Sequence, residues 1–503
     1  MKLETLIRAG KFVGIALTGL VVVSCKKDNP KPEPEEPKPV VTERTEAQLI
    51  KDDIYKYYKL YSLWETSITP DYTSDPSKFT DQYSSASQVL IALKKMTPAY
   101  PKYKEGVIDR FSYFQGANGY NISSSASNKI KMDTYNGYGF EMFNVHFGTS
   151  DNKTVQPILD FVEGGSPAYL AGFRRSDILK AINNDNNFSV GIDDSEAKTD
   201  MLNRISSALS SPKFTLEVIR NDGSVLKKEL TNVEYVIDPV YKESIFNFSN
   251  NNIGYLALSS FEEIEEETGG GKINKQKIDA VFNKFQDQNI KNLIVDLRYN
   301  GGGYVDAAVY IADKIGGSKL KSKLMLTYET NKYLQSDATS SLRKELNIHD
   351  TYFQGLSTLN LDKVYFLVSE HTASAAEMLI NVIRPHNIAV KIIASGTHTF
   401  GKPVGFFRQL IQNKVYFWPV SFKLRNKDGV SDYWDGLLAD EPNITDYVFA
   451  DLGDPEESML EAALNDAVPQ RQNKASSRIK FNYRYSLPIG KVYPRPEIGM
   501  FKK

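Results

Sequence analysis

The chain has 503 residues, of which 41% are hydrophobic and 24% charged, and its formal net charge is -1. This length is typical of about two to four domains, and the balanced charge argues against nucleic acid as a partner. Cys25 is the only cysteine, which excludes an internal disulfide. The five histidines form no HExxH or HxH pattern, so we expect no catalytic metal and no other cofactor.

Residues 1–24 have the pattern of an export signal. A basic segment precedes an apolar stretch of about a dozen residues, 12–23, which is too short to span a bilayer. Ser24 and Cys25 follow, and the sequence VVSC resembles a bacterial lipobox. The resemblance implies cleavage before Cys25 and lipidation of that residue. A plain secretory signal that contains a cysteine is the alternative.

Residues 25–44 are predicted to form an extended tether. The sequence NPKPEPEEPKPVV is too rich in Pro, Glu and Lys to bury a core. A tether between a lipid and a folded domain favours the anchor interpretation. Lys26, rather than an acidic residue, follows Cys25, which in lipoproteins implies transport to the outer membrane of a Gram-negative cell envelope. The sequence leaves the membrane face open.

Residues 45–130 are predicted to form a helical N-terminal region. Apolar and aromatic side chains recur at helical spacing from Leu49 to Trp64, and a second helix is predicted over residues 87–95. We interpret the aromatic stripe as core packing rather than as a ligand site, because apolar helix faces exist chiefly to pack.

Residues 134–222 carry an ordered set of motifs. A glycine-rich loop, Gly137-Tyr138-Gly139-Phe140, precedes a strand, and the sequences GSPA, AGF and DILKAIN follow in that order. The set resembles a PDZ domain, a β-rich fold. The resemblance implies that N–H groups of the loop bind a terminal carboxylate and that the peptide adds as a strand. A generic small β domain is the alternative.

Residues 240–465 alternate between predicted strands and helices, which is typical of an α/β core. A link between this unit and the preceding one is predicted over residues 223–250. The predicted strands are 252–261, 293–297 and 364–369, and the predicted helices are 273–288, 305–315 and one that starts near Ser374.

Three segments of this core carry candidate chemistry, and they read DLRYNGGG, TASAAE and GTHTFGK in chain order. Together they resemble the core of the C-terminal processing (tail-specific) peptidases, serine peptidases of the S41 type. That core typically shows a DLR-N-x-GG turn, an S-A-S-x-E segment and a T-x-GK segment. The resemblance covers roughly residues 134–465. It implies a crotonase-like or ClpP-like α/β peptidase core.

The same resemblance assigns Ser374 as the nucleophile and Lys402 as its general base. A lysine accepts a proton only when neutral, so its pKa must fall roughly two to three units below the usual value of about 10.4. An apolar pocket provides such a shift. Four apolar residues flank this lysine in the sequence: Phe400, Val404, Phe406 and Phe407. A histidine base, His371 or His398, is the alternative.

Backbone N–H groups are expected to stabilise the oxyanion of the tetrahedral intermediate. We expect one donor at Ala375, at the start of the helix, and a second from the turn at Gly302 and Gly303. Many family members carry an assisting glutamine four residues after the lysine. Phe406 occupies that position here, so we assign the assisting role to no residue.

The sequence thus predicts an α/β multidomain serine endopeptidase that acts on polypeptides with accessible C-termini and is held at a membrane by its lipid. Its oligomeric state stays open. A binding protein for peptides or apolar ligands on the same scaffold, or a scaffold lipoprotein, is the alternative. Residues 469–503 contain nine Lys or Arg residues and one acid, and are predicted to be a solvated basic tail. Contact with anionic lipid is the alternative for this tail.

Overall fold

The structure is a computed structural model that describes residues 43–116, 135–147, 154–248, 251–265, 270–473 and 500–502. The predicted export signal, Cys25 and nearly all of the predicted tether lie outside these ranges. Within them, no helix is both long enough and apolar enough to cross a membrane.

The first part of the described chain is a helical unit with one strand. Its elements are α1 (Glu46–Tyr61), α2 (Ser77–Thr80), α3 (Ala86–Lys95) and β1 (Tyr113–Gly116). A capping box starts α1, because Thr45 and Gln48 each accept a hydrogen bond from the backbone N–H of the other. The predicted stripe is only partly packed inside, because Tyr58 is fully buried and Trp64 half-buried while Leu49 is 36% exposed. The described residues 96–112 contain no helix.

A β-rich unit follows. Its strands are β2 (Tyr135–Gly137), β3 (Phe140–Phe147), β4 (Thr154–Val162), β5 (Ile178–Ile182), β6 (Val190–Gly191), β7 (Lys213–Ile219), β8 (Val225–Thr231) and β9 (Val233–Tyr235), and its helices are α4 (Pro167–Leu170) and α5 (Ser195–Leu209). The main sheet is antiparallel in the order β3-β4-β5-β7-β8, with β6 beside β4. Met201, Ile205 and Leu209 form the buried stripe of α5.

This sheet extends beyond the boundary at residue 222 that the sequence motifs suggested. β8 pairs with β7 over seven residues, and β9 pairs with β2. Much of the predicted link over residues 223–250 is therefore sheet. At the opposite edge, β3 pairs with β4 alone among the described strands.

The remaining elements form the core unit. Its strands are β10 (Val240–Phe248), β11 (Asn251–Leu258), β12 (Asn292–Asp296), β13 (Gly303–Tyr304), β14 (Leu324–Thr330), β15 (Thr351–Tyr352), β16 (Lys363–Val368), β17 (Ala389–Ala394), β18 (Val404–Phe407), β19 (Gln409–Ile411), β20 (Val415–Trp418), β21 (Val420–Asn426) and β22 (Met500–Lys502). Its helices are α6 (Gly270–Asp287), α7 (Val305–Leu320), α8 (Lys332–Gln335), α9 (Ser340–Glu345), α10 (Ala375–Ile383) and α11 (Ser458–Ala467). Two 3-10 turns of this unit lie at Asp337–Thr339 and Pro469–Asn473, and a third, Glu65–Ser67, belongs to the helical unit.

Two sheets frame this unit. The first has the order β10-β11-β12-β16-β17 and is parallel from β11 onward. The second has the order β13-β22-β18-β21-β14-β15. All nine residues of α10 are buried, as the apolar sequence of this helix requires. A third sheet, β1-β20-β19, joins the helical unit to the core.

The prediction of a solvated tail is wrong at Met500. This side chain is fully buried in the main apolar cluster, and β22 is an internal strand of the second sheet. The strand was not predicted because its short apolar segment lies in a stretch of sequence rich in Lys and Arg.

An ionic junction joins the β-rich unit to the core. Arg175, which follows α4, donates to Asp446 Oδ1 at 2.6 Å and to the Tyr299 hydroxyl at 2.5 Å. Arg298 donates to the same Asp446 oxygen at 2.6 Å. The two buried guanidinium groups hold the pKa of Asp446 well below its usual value, against the opposing effect of burial. Two residues of this junction, Arg298 and Tyr299, lie just before the glycine turn at Gly302 and Gly303.

The buried position of Asp160, on β4 beside this junction, predicts that the stability of the folded protein depends on pH. Burial, and secondly the charge of Glu141, raise the pKa of Asp160 to about 7. The contribution of protonated Asp160 to the stability of the fold is fully present below the usual pKa of an aspartate. It is lost as the pH rises through about 7. We therefore expect Asp160→Asn to gain a few degrees in Tm over the wild type at pH 8 and less at pH 5, by scanning calorimetry.

The matched control is Asp200→Asn, because Asp200 is an exposed aspartate of α5 with an i,i+4 partner, Arg204. The same Tm difference at both pH values for Asp160→Asn would contradict a buried, protonated Asp160.

Candidate active site

The three chemical segments meet because they follow neighbouring strands. β12, β16 and β17 are parallel and adjacent, so their carboxyl ends share one edge of the sheet. The DLRYNGGG, TASAAE and GTHTFGK segments follow β12, β16 and β17 in that order. Ala373 N donates to Asn300 O at 3.1 Å, and Phe400 N donates to Thr372 O at 3.0 Å. All three predicted segments therefore form one site.

Ser374 occupies a sharp turn between β16 and α10. Its φ is 62° and its ψ is -114°, a strained conformation for a residue with a Cβ. The side chain is fully buried, and its Oγ has no hydrogen-bond partner among the described residues. Within the described residues, this buried hydroxyl therefore makes no hydrogen bond that would stabilise the fold.

Glu377 connects the predicted nucleophile to the predicted base. Its Oε2 accepts from Ser374 N and from Lys402 N, each at 2.8 Å. Its Oε1 accepts from Thr399 Oγ1 at 2.5 Å and from Gly401 N at 2.7 Å. Burial raises the pKa of Glu377, and the four hydrogen bonds oppose that rise. Because one oxygen holds both backbone nitrogens, Ser374 and Lys402 are fixed relative to each other.

Lys402 lies in a largely apolar pocket, with 3% of its surface exposed. Its Nζ is 5.2 Å from the ring centroid of Phe111 and 5.4 Å from that of Phe406. Phe400 packs against the Phe111 ring, with the two centroids 6.4 Å apart. The other two predicted wall residues, buried in the same apolar cluster, are Val404 and Phe407.

The glycine turn lies against the start of α10. A Cβ at Gly302 would be 2.9 Å from the Ser374 Cβ and 3.2 Å from the Ala375 N. The Gly302 N–H already donates to Asn300 Oδ1 at 2.9 Å. The Gly302 N–H is therefore already paired, and the absence of a side chain at Gly302 lets the backbone approach Ser374 and Ala375 closely.

Neither predicted alternative base is hydrogen-bonded to the Ser374 Oγ. His371 is exposed, and His398 Nδ1 lies 2.6 Å from the carbonyl oxygen of its neighbour Thr399. The Ser374 Oγ has no hydrogen-bond partner in the described chain, so neither a histidine nor Lys402 is hydrogen-bonded to it. Lys402 differs from the two histidines because its backbone N–H binds the same Glu377 oxygen as the Ser374 N–H.

The predicted peptide-binding loop lies in the β-rich unit. The carbonyl of Gly139 accepts from Glu163 N at 2.7 Å, and the carbonyl of Tyr138 accepts from Ala168 N at 3.0 Å. Tyr138 and Phe140 are buried, while Gly137 and Gly139 have positive φ values of 148° and 76°. This loop leads directly into the edge strand β3.

Two residues of the site were not predicted. Glu377 accepts a hydrogen bond from Ser374 N at the start of α10, and the S-x-x-E spacing was the available signal. Phe111 comes from the helical unit, and nothing in its local sequence indicates contact with Lys402.

Comparisons with known proteins show which proteins this chain is similar to. Residues 252–428 match the model of peptidase family S41. The chain is 26% identical over 253 residues to a carboxyl-terminal-processing protease of Picosynechococcus, covering 49% of this chain and 52% of that protein. It is 27% identical over 241 residues to a CtpA-like serine protease of Staphylococcus aureus, covering 48% and 40%. The chain thus spans about half the length of these relatives, or less.

A solved structure shows the same fold. A candidate S41 protease from Bacteroides fragilis matches with a TM-score of 0.55 and 20% sequence identity, covering 82% of this chain and 96% of that one. The described chain therefore has the mixed α/β fold of S41 peptidases.

Proposed function

We propose that this chain is a serine endopeptidase that cleaves polypeptides through an acyl-enzyme formed on Ser374. The observation that carries the proposal is the buried Ser374 Oγ, unpaired within the described chain, on a strained turn. Its backbone and that of Lys402 are held by one oxygen of Glu377. The family match over residues 252–428 supports the same chemistry.

In the proposed reaction, neutral Lys402 removes the proton of the Ser374 hydroxyl as the oxygen attacks the peptide carbonyl. The Ala375 N–H, at the positive end of α10, stabilises the oxyanion together with a donor of the glycine turn. The protonated lysine then donates its proton to the leaving amine. Water, activated by the same lysine, hydrolyses the ester and restores the enzyme.

We further propose that the β-rich unit is a PDZ domain that recognises C-terminal segments of substrates. The support is the outer edge of β3, which has no neighbouring strand in the described chain, and the glycine loop that precedes it. An extended peptide added to β3 would gain backbone hydrogen bonds, and its carboxylate would meet the loop at Gly139.

The test is cleavage of a disordered protein such as β-casein. We expect the purified chain to cleave it and Ser374→Ala to lose activity by about 10⁴-fold or more, with an unchanged Tm. Ser357→Ala, which alters a buried serine bonded to Lys314 O, is the matched control and retains activity. Equal cleavage by Ser374→Ala and the wild type would exclude the proposed nucleophile.

A binding protein without turnover is the second candidate, and Phe406 is the observation that favours it. This ring occupies the position of the assisting glutamine and faces Lys402. The cleavage experiment separates the two candidates, because a pure binding protein leaves β-casein intact.

We also propose that the protein is exported and anchored in the outer membrane through lipid on Cys25. The support is the sequence of residues 1–44 alone. Incorporation of labelled palmitate by the wild type but not by Cys25→Ala is the expected result. Equal labelling of the two would contradict it.

A further inference from the structure

β22 lies between the two strands that follow the predicted catalytic segments. Met500 is opposite Gly303 of β13 on one side and opposite Gly405 of β18 on the other. Phe501 is opposite Tyr304 and Phe406, and both pairings are parallel. β22 therefore pairs with β13 on one side and with β18 on the other.

Those two strands begin at the site itself. Gly303 directly follows Gly302, whose added Cβ would lie 2.9 Å from the Ser374 Cβ. Val404, the first residue of β18, comes two residues after Lys402. β22 runs parallel to both, so Met500 is opposite Gly303, the first residue of β13, and Phe501 is opposite Phe406, whose ring centroid is 5.4 Å from Lys402 Nζ.

Without β22, the facing edges of β13 and β18 would be separated by about two strand spacings, close to 10 Å. Such a slot binds one extended backbone, because both edges present unpaired N–H and C=O groups. A substrate must also be extended and lie beside the glycine turn when its carbonyl reaches Ser374. The position of β22 is therefore one that a substrate backbone would need.

We propose that Met500–Lys502 is an intramolecular occupant of the substrate groove and inhibits the peptidase. The ligand class of the groove is an extended polypeptide with a long apolar side chain at the position of Met500, which is fully buried against the main cluster. This inference rests on the proposed function. It goes beyond that function by assigning the groove and its resident ligand.

An intramolecular occupant acts as a competitive inhibitor, at an effective concentration of about millimolar. Releasing it should lower the KM for a disordered substrate about tenfold or more and leave kcat unchanged. A strand with only a structural role would behave differently, since its loss would lower kcat and Tm together.

The experiment compares the full chain, a chain ending at Gly499, and Met500→Lys, which disfavours burial of the strand if the truncated chain does not fold. Met459→Lys is the matched control, because Met459 is equally buried in α11 but lies in a different apolar cluster. We expect a lower KM for the two strand variants and not for the control. Unchanged KM with lower kcat in both would overturn the proposal.

Binding measured in the Ser374→Ala background separates this inference from the proposed catalysis. A fluorescent peptide of residues 495–503 should bind the chain ending at Gly499, or Met500→Lys, at least tenfold more tightly than it binds the full-length Ser374→Ala protein, by anisotropy. This readout needs no turnover. Binding to none of these proteins would overturn the groove assignment, even if cleavage is observed.

Discussion

Replacing Lys402 with alanine is expected to lower kcat/KM by about 10⁴-fold or more while the protein stays folded. The amine lies between the rings of Phe111 and Phe406, and the Lys402 backbone N–H binds the same Glu377 oxygen as the Ser374 N–H. Lys402→Arg should be similarly inactive, because a guanidinium remains charged and cannot accept a proton near neutral pH. Steady-state cleavage of β-casein and the Tm of each variant check both expectations.

Two further variants make this test specific. Lys314→Met removes another buried lysine, whose partner is Asp279, and should retain activity. The double variant Ser374→Ala/Lys402→Ala should lose no more than either single variant, because the two residues act as one unit. If Lys402→Ala still cleaves while Ser374→Ala does not, the base is another residue, and His398 would be examined next.

The secondary structure that positions the site was largely predictable from the sequence. A helix predicted over residues 273–288 corresponds to α6, and a strand predicted over residues 364–369 corresponds to β16. Both rest on local apolar patterns. The sequence also predicts that the DLRYNGGG, TASAAE and GTHTFGK segments lie close together, since parallel strands end at the same edge of a sheet.

Contacts between distant parts of the sequence were not predictable in the same way. Phe111 reaches Lys402 only because β1 pairs with β20 of the core. Met500 is buried because a gap exists between two strands far from it in the sequence. A single sequence carries no local signal for either pairing, since each depends on edges that other segments create.

The four hydrogen bonds of Glu377 were also not predicted, although its spacing from Ser374 was visible. A glutamine in its place keeps one accepting oxygen and turns an NH₂ group toward donors that need an acceptor. Glu377→Gln is therefore expected to lower kcat by about 10²-fold or more, because small displacements of Ser374 or Lys402 disrupt the attack geometry. KM should change little, and the Tm should fall, since each unpaired buried donor costs about 1–3 kcal/mol.

Asn381→Ala provides the control for a purely structural effect. Asn381 lies on the same helix, donates to Val430 O at 2.9 Å and accepts from Asn426, so its loss should also lower the Tm. Its kcat should stay near the wild-type value, because it bonds neither Ser374 nor Lys402. If Glu377→Gln and Asn381→Ala lost equal stability and equal kcat, Glu377 would be a structural residue. A loss of kcat confined to Glu377→Gln would instead identify Glu377 as the group that positions Ser374 and Lys402.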